Sequence, residues 1–94
     1  MTDTELRTAV RESVAELLTV PLTADTDHTL LAELAPGRYD SLGVLDCVGL
    51  IEQRFDVSVD LVEDDLRSTF ASVAAIAALV ARKQSDQAVL RAAL

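Results

Sequence analysis

Apolar residues recur three or four positions apart in three stretches of the chain, which is the spacing of one face of an α-helix. The pattern predicts helices over residues 3–18, over residues 41–55 and from Val73 to about Lys83. The second stretch includes Leu42, which is expected to join its apolar stripe from the first turn. The remaining apolar positions are Leu6, Val10, Val14, Leu17 and Leu18, then Val44, Cys47, Val48, Ile51 and Phe55, and finally Val73, Ile76, Ala77 and Val80.

Capping residues mark the ends of these predicted helices. Thr2 and Glu5 match the capping-box pattern before the first helix, and Pro21 bars its continuation. Asp40 is a favourable N-cap for the second helix, and Ser72 is one for the last helix. The local sequence therefore agrees with the apolar spacing about where each helix starts.

The connection formed by residues 19–40 exceeds the usual length of a structureless loop. Leu30, Leu31 and Leu34 are expected to pin it onto the core. A short helical turn capped by Thr29 would carry these leucines. Long loops in small domains often carry function, so this segment is of interest beyond the fold.

Residues 56–70 give a mixed pattern. The stretch "DVSVDL" alternates like a strand but has no evident partner strand, so we predict a loop leading into a short helix around Glu63–Arg67. The whole pattern predicts an all-α fold: a small four-helix bundle with a long loop between helices one and two and a short third helix. Residues 1–83 are assigned to one domain, and residues 84–94 to a C-terminal tail that is either a helical extension or disordered.

Composition narrows the class of protein. Half of the 94 residues are hydrophobic, which excludes global disorder, and the scarcity of aromatic residues requires an aliphatic core. The net charge of −8 disfavours nucleic acid and anionic membranes as partners and favours a basic protein surface, although solubility alone would also explain it. With one cysteine and no apolar run at residues 1–20 or elsewhere that suits a signal peptide or a membrane span, we expect a soluble cytoplasmic protein.

The sequence does not support a self-sufficient enzyme. His28 is the one histidine and lies in a polar stretch, and Cys47 lies on an apolar stripe, so neither a nucleophile–base pair nor a zinc site is indicated. The acidic run "DVSVDLVEDDLR" begins like a calcium loop but places Leu61 at the required glycine and Arg67 at the required carboxylate. The glycine-rich phosphate loops are absent from the sequence.

One stretch, "RYDSLGVLDCVGLIEQRF", combines two helix-weakening glycines with a serine at the predicted start of the second helix. Gly43 and Gly49 weaken the predicted second helix by about 1 kcal/mol each relative to alanine. Ser41 follows the N-cap and has no base beside it, so it would be a substrate for another enzyme rather than a nucleophile in its own right. The plainer interpretation is that Ser41 is an ordinary first-turn residue and that the glycines allow tight helix packing.

The sequence around Ser41 resembles that of a known protein family. "DSL" at the start of the second helix of a small acidic protein is similar to the attachment motif of acyl and peptidyl carrier proteins, and the resemblance runs from about Thr4 to Lys83. It implies that a phosphopantetheinyl transferase transfers 4′-phosphopantetheine from coenzyme A to Ser41. The thiol of that arm would then hold a cargo as a thioester, so the protein itself would be non-catalytic.

The resemblance also implies roles for the neighbours of Ser41. Asp40 would help the transferase to position serine and metal, and Leu42 would pack beneath the attachment point, partly shared with partners. An exposed face and an acidic edge would bind partner enzymes, and the implied residues are Leu45, Asp46, Gly49, Glu52, Asp64 and Asp65.

Departures from the family pattern bear on the pathway. Arg38 stands where the family commonly has glycine, Tyr39 places a bulky ring before Asp40, and Asp46 and Glu52 are the only acids of the second helix. These features favour a freestanding carrier in polyketide or nonribosomal peptide-type biosynthesis. Its further partners would be an acyltransferase or adenylating enzyme and a synthase or condensing enzyme. A monomer is the default expectation for a carrier that must visit several enzymes. The alternatives are a fatty-acid synthesis carrier and an acidic helical interaction module without covalent cargo.

Overall fold

The computed structural model describes the backbone of residues 2–93 and the side chains of residues 2–89, and within them it contains no β-strand. The all-α prediction is therefore confirmed. Two four-residue helices stand where the pattern predicted one helical turn and one short helix. In chain order, the helices are α1 (Asp3–Leu18), a 3₁₀ helix (Ala24–Thr26), α2 (Leu31–Leu34), α3 (Ser41–Phe55), α4 (Leu66–Thr69) and α5 (Val73–Ala93).

The predicted bounds of α1 are confirmed, together with its capping box. The Thr2 hydroxyl accepts a hydrogen bond from the backbone N–H of Glu5 at 3.1 Å, and the Glu5 carboxylate accepts one from the N–H of Thr2 at 3.2 Å. Thr19 ends the helix in the left-handed conformation, at φ 56°.

The predicted bounds of α3 are also confirmed. The Asp40 carboxylate accepts a hydrogen bond from the N–H of Gly43 at 2.9 Å, and Asp56 ends the helix at φ 53°. Cys47, Val48 and Ile51 face the core, as the apolar spacing predicted.

The last helix is longer than its apolar pattern required. The Ser72 hydroxyl accepts from the N–H of Ala75 at 3.2 Å, so the predicted cap is present. The helix continues to Ala93, and residues 84–93 are therefore a helical extension rather than a separate tail. The Gln87 side chain donates to the carbonyl of Asp56 at 3.0 Å and joins this extension to the end of α3. None of the helices in residues 2–93 combines the length and hydropathy needed to cross a bilayer.

The core is aliphatic and is centred on α5, which packs against α1 and α4, while α1 also packs against α3. Phe70 is the largest side chain that is fully enclosed. The buried hydrophobic residues are Leu6, Val10, Val14, Leu18, Leu31, Ala35, Tyr39, Cys47, Val48, Ile51, Val57, Phe70, Val73, Ile76, Ala77, Leu79 and Val80.

A buried ion pair anchors the long loop before α3, and sequence reasoning missed it. The Asp27 side chain is 2% exposed and accepts hydrogen bonds from the Nε and Nη2 atoms of Arg11 at 2.8 and 2.7 Å. The guanidinium of Arg11 holds the pKa of Asp27 below its usual range. The backbone carbonyl of Asp27 also accepts from the N–H of Ala74 at 2.8 Å, so one residue ties the loop to α1 and α5.

Only part of the predicted leucine anchor is present in that loop. Leu31 is fully buried and Leu34 is partly buried, but Leu30 is 48% exposed and does not pin the loop. Leu30, rather than Thr29, is also the N-cap of α2, without a side-chain cap. The prediction for these two positions was wrong, and the loop is anchored instead by Leu31 together with Asp27.

The short helix, α4, starts three residues later and ends two residues later than predicted. Side chains hold the segment before it in a turn, which explains the difference. The Asp60 carboxylate accepts from the N–H groups of Val62 and Glu63 at 2.8 and 2.9 Å, and the Asp64 carboxylate accepts from the N–H of Asp60 at 2.7 Å. Asp65 then adopts φ 41°, so a helix cannot run through it.

Candidate functional site

The candidate site is the head of α3, where Ser41 is the first helical residue and is exposed. Asp40 precedes it in an extended conformation and caps the helix through its carboxylate. The serine therefore lies at the surface on the first turn of a capped helix. A visiting enzyme could reach a residue in that position without unfolding the bundle.

Two residues before the serine fix the approach of the chain. The Tyr39 ring is buried and its hydroxyl donates a hydrogen bond to the carbonyl of Phe70, at the end of α4. Burial raises the pKa of Tyr39 well above its usual range, so the hydroxyl remains a donor. The Arg38 guanidinium donates to the carbonyl of Leu18 at 2.7 Å. Arg38 and Tyr39 therefore tie the chain just before Ser41 to the ends of α1 and α4.

The two glycines of α3 have different physical roles. A Cβ atom on Gly43 would collide with the backbone carbonyl of Arg38, so the close approach of the preceding loop requires glycine there. A Cβ atom on Gly49 would meet no atom within 4 Å, and the residue is exposed. Packing within the fold explains Gly43, whereas it leaves Gly49 unexplained.

The exposed face of α3 is more apolar than expected. Leu42 is 72% exposed and Leu45 is 48% exposed. Leu42 therefore does not join the core stripe, and this part of the prediction was wrong. Leu42 lies three and four positions before Leu45 and Asp46, so it shares their exposed side of α3 and not the buried stripe of Cys47, Val48 and Ile51. With Asp46 and Gly49, which are exposed at neighbouring helical positions, the two leucines form what we call the α3 face.

The predicted acidic residues fall into two groups. Glu52 accepts a hydrogen bond from the N–H of Val59 at 2.9 Å, and Asp64 pairs with Lys83 at 2.8 Å. The hydrogen bond from Lys83 lowers the pKa of Asp64, whose side chain is only 10% exposed. Asp46 and Asp65 are exposed. The exposed carboxylates of Asp46 on α3 and Asp65 just before α4 are therefore accessible to a partner. Glu52 and Asp64 instead hold the intervening loop in place.

A cleft of about 310 Å³ lies beside the serine, and its lining comes from α3 and α4: Ser41, Val44, Leu45, Leu66 and Arg67. A second cleft of about 270 Å³ shares Val44, Leu66 and Arg67 and continues towards α2. Sequence reasoning named Arg67 as the end of the predicted short helix and as a residue that does not fit a calcium loop. No spacing signal could have placed Arg67 in the same cleft as Ser41, because the two residues are 26 positions apart and share a cleft only in the folded chain.

The remaining reactive side chains do not form a second centre. His28 is exposed, and Cys47 is fully buried, which raises its pKa to about 11 and makes the thiol inert. Across the part of the chain that the structure describes, no three His, Cys, Asp or Glu side chains converge as a metal site would require.

Comparison with known proteins does not assign a family. The chain matches no protein-family model, no curated protein and no solved structure. The resemblance to carrier proteins therefore depends on the "DSL" stretch and its place in the chain, and the function has to be argued from the head of α3 itself.

Proposed function

We propose that this protein is a freestanding acyl or aminoacyl carrier, which holds intermediates as thioesters on a 4′-phosphopantetheine arm attached to Ser41. The observation that supports this most is the exposure of Ser41 on the first turn of a capped α3, with Tyr39 and Arg38 fixing the chain before it. The protein is non-catalytic in this proposal, in keeping with the inert Cys47.

Attachment of the arm needs an external catalyst. The Ser41 oxygen forms a bond to the phosphorus of coenzyme A that carries pantetheine, and the pyrophosphate bond breaks to release 3′,5′-ADP. The serine proton passes to a base of the transferase, which also supplies the magnesium ion, because no base lies beside Ser41 among the cleft residues. The bound arm then supplies a thiol for thioester formation.

Partner enzymes are proposed to bind the α3 face. Leu42 and Leu45 offer exposed apolar area, and Asp46 together with the net charge of −8 would steer basic partners towards it. Such contacts should be small and weak, because the cargo must be handed on. The proposed partners are a phosphopantetheinyl transferase, an acyltransferase or adenylating enzyme, and a synthase or condensing enzyme of polyketide or nonribosomal peptide-type biosynthesis.

The test is the mass of the intact chain after incubation with coenzyme A, magnesium and a promiscuous transferase under reducing conditions. One phosphopantetheine should be added to the wild type and none to Ser41→Ala. Ser58→Ala is the matched control, because Ser58 is also an exposed serine but lies outside the site, and its variant should be loaded normally.

A second candidate is an acidic interaction module that is never modified. The 72% exposure of Leu42 beside Leu45 favours it, since exposed leucines on one helical face can bind a partner without covalent chemistry. Absence of any added mass in the wild type, with the transferase active on a control carrier, would support this candidate instead.

A further inference from the structure

Arg67 differs from the other basic side chains. Seven of the eight Lys and Arg residues lie within residues 2–89, and six of them contact an acidic side chain or a backbone carbonyl of the described chain. Arg67 alone among the seven has neither an ion pair nor a side-chain hydrogen bond within that part of the chain. The six with partners are Arg7, Arg11, Arg38, Arg54, Arg82 and Lys83.

This exposed cation lines the same cleft as Ser41. Apart from Ser41 and Arg67, the lining of that cleft is apolar, formed by Val44, Leu45 and Leu66. A cation beside an apolar cleft in a protein of net charge −8 suits an occupant with an anionic head and a less polar body. A phosphodiester on the Ser41 oxygen would begin at the edge of this cleft.

We propose that Arg67 binds the phosphodiester of the phosphopantetheine arm and directs the arm into the cleft between α3 and α4; this inference rests on the proposed attachment at Ser41. A guanidinium forms paired, charge-assisted hydrogen bonds with phosphate oxygens, which a lysine cannot match in geometry. Asp40 places a carboxylate at the same end of α3, and Arg67 would offset its repulsion of the phosphate.

The position of Arg67 is set by its backbone. Asp65, at φ 41°, starts α4, and the carbonyl of Phe70, at its end, accepts the Tyr39 hydroxyl. Tyr39 lies two residues before Ser41, so the same contact fixes α4 and the head of α3 relative to each other. Arg67 therefore lies on a helix that is tied to the attachment site.

The experiment uses the loaded protein with a ¹⁵N-labelled arm. In the wild type, the two amide groups of the arm should show the restricted motion of a bound chain by heteronuclear NOE, and the Nε–H signal of Arg67 should shift between the unloaded and loaded forms. In Arg67→Gln, loading should still occur, the arm amides should become mobile, and neutral iodoacetamide should alkylate the arm thiol about two- to fivefold faster, the range for one exposed ion pair.

Two further variants make the outcome specific. Arg82→Gln removes the same charge from a side chain on α5 that pairs with Asp64, and it should leave arm mobility unchanged. Arg67→Lys should restore part of the effect. Equal arm mobility in the wild type and Arg67→Gln, or the same change in Arg82→Gln, would overturn the role of Arg67 while the carrier function stands. Failure of the wild type to accept an arm would overturn both proposals.

Discussion

At the scale of single residues, the same amino acid has opposite consequences within one helix. Gly43 is required because the carbonyl of Arg38 occupies the place of its Cβ atom, whereas Gly49 faces open space. A mid-helix glycine costs about 1 kcal/mol relative to alanine, and the fold does not require that cost at Gly49. The cost there is consistent with close approach of a partner to the backbone.

Alanine substitution should separate the two glycines. Gly49→Ala should raise the free energy of unfolding by about 0.5–1 kcal/mol, because it removes the entropic cost of glycine without a collision. Gly43→Ala should lower the free energy of unfolding by about 1–3 kcal/mol, because the loop at Arg38 must shift. Urea unfolding of both variants against the wild type measures the difference, and equal effects at the two positions would contradict this assignment.

Asp27 makes a pH-dependent contribution to the stability of the fold. Its pKa is lowered in the folded state by Arg11, so its stabilising contribution is complete above the unfolded pKa of about 4 and is lost as the pH falls through the folded value. Asp27→Asn should cost about 2 kcal/mol at neutral pH, less than a fully buried pair because Arg11 is partly exposed.

The pH dependence of the free energy of unfolding tests whether the ion pair with Arg11 is the source of that cost. Urea unfolding between pH 7 and pH 3 should show the stability gap between the wild type and Asp27→Asn narrowing below about pH 5. Asp25→Asn is the matched control, since Asp25 is exposed two residues earlier and should give a small gap throughout. A gap for Asp27→Asn that is independent of pH would mean that the ion pair with Arg11 is not its source.

At the scale of secondary-structure elements, predictions succeeded where the signals were local. The caps at Thr2 and Asp40 and the apolar spacing gave the bounds of α1 and α3. The prediction for α4 missed because the carboxylates of Asp60 and Asp64 hold a turn that the helical period does not reveal. The extension of α5 has little apolar pattern beyond Lys83, so the choice between helix and disorder could not be made.

The site itself was predictable only in part. Ser41 and its cap were identified from the sequence because they are adjacent in the chain. The cleft and the place of Arg67 in its lining were not predicted, because they depend on the tertiary arrangement that brings α4 to the same cleft as the head of α3. The exposure of Leu42 was missed for the same reason, since an apolar residue in a first turn can face either the core or the solvent.

At the scale of the whole molecule, the residues that stabilise the described structure differ from those that form the exposed α3 face. α5 and the Asp27 anchor hold the bundle, and the exposed α3 face contributes little to the core. A carrier that visits several enzymes needs such a face, which combines small apolar contacts with an acidic surface that steers the encounter.

A bulkier residue on the α3 face should affect partner binding without lowering the stability of the fold. Gly49→Leu should retain or raise the free energy of unfolding, because the position is open, yet slow loading by the cognate transferase by obstructing its approach. Gly49→Ala, with a smaller side chain, should retain more of the loading rate. Unchanged loading kinetics in Gly49→Leu would show that partners do not approach this part of α3.

The most direct measurement is fragmentation mass spectrometry of the intact wild-type chain after incubation with coenzyme A and transferase. The proposal predicts a single phosphopantetheine located on Ser41, and subsequent acylation that hydroxylamine reverses as it does for a thioester. A chain that remains unmodified, or an arm located on any other residue, would contradict the carrier function.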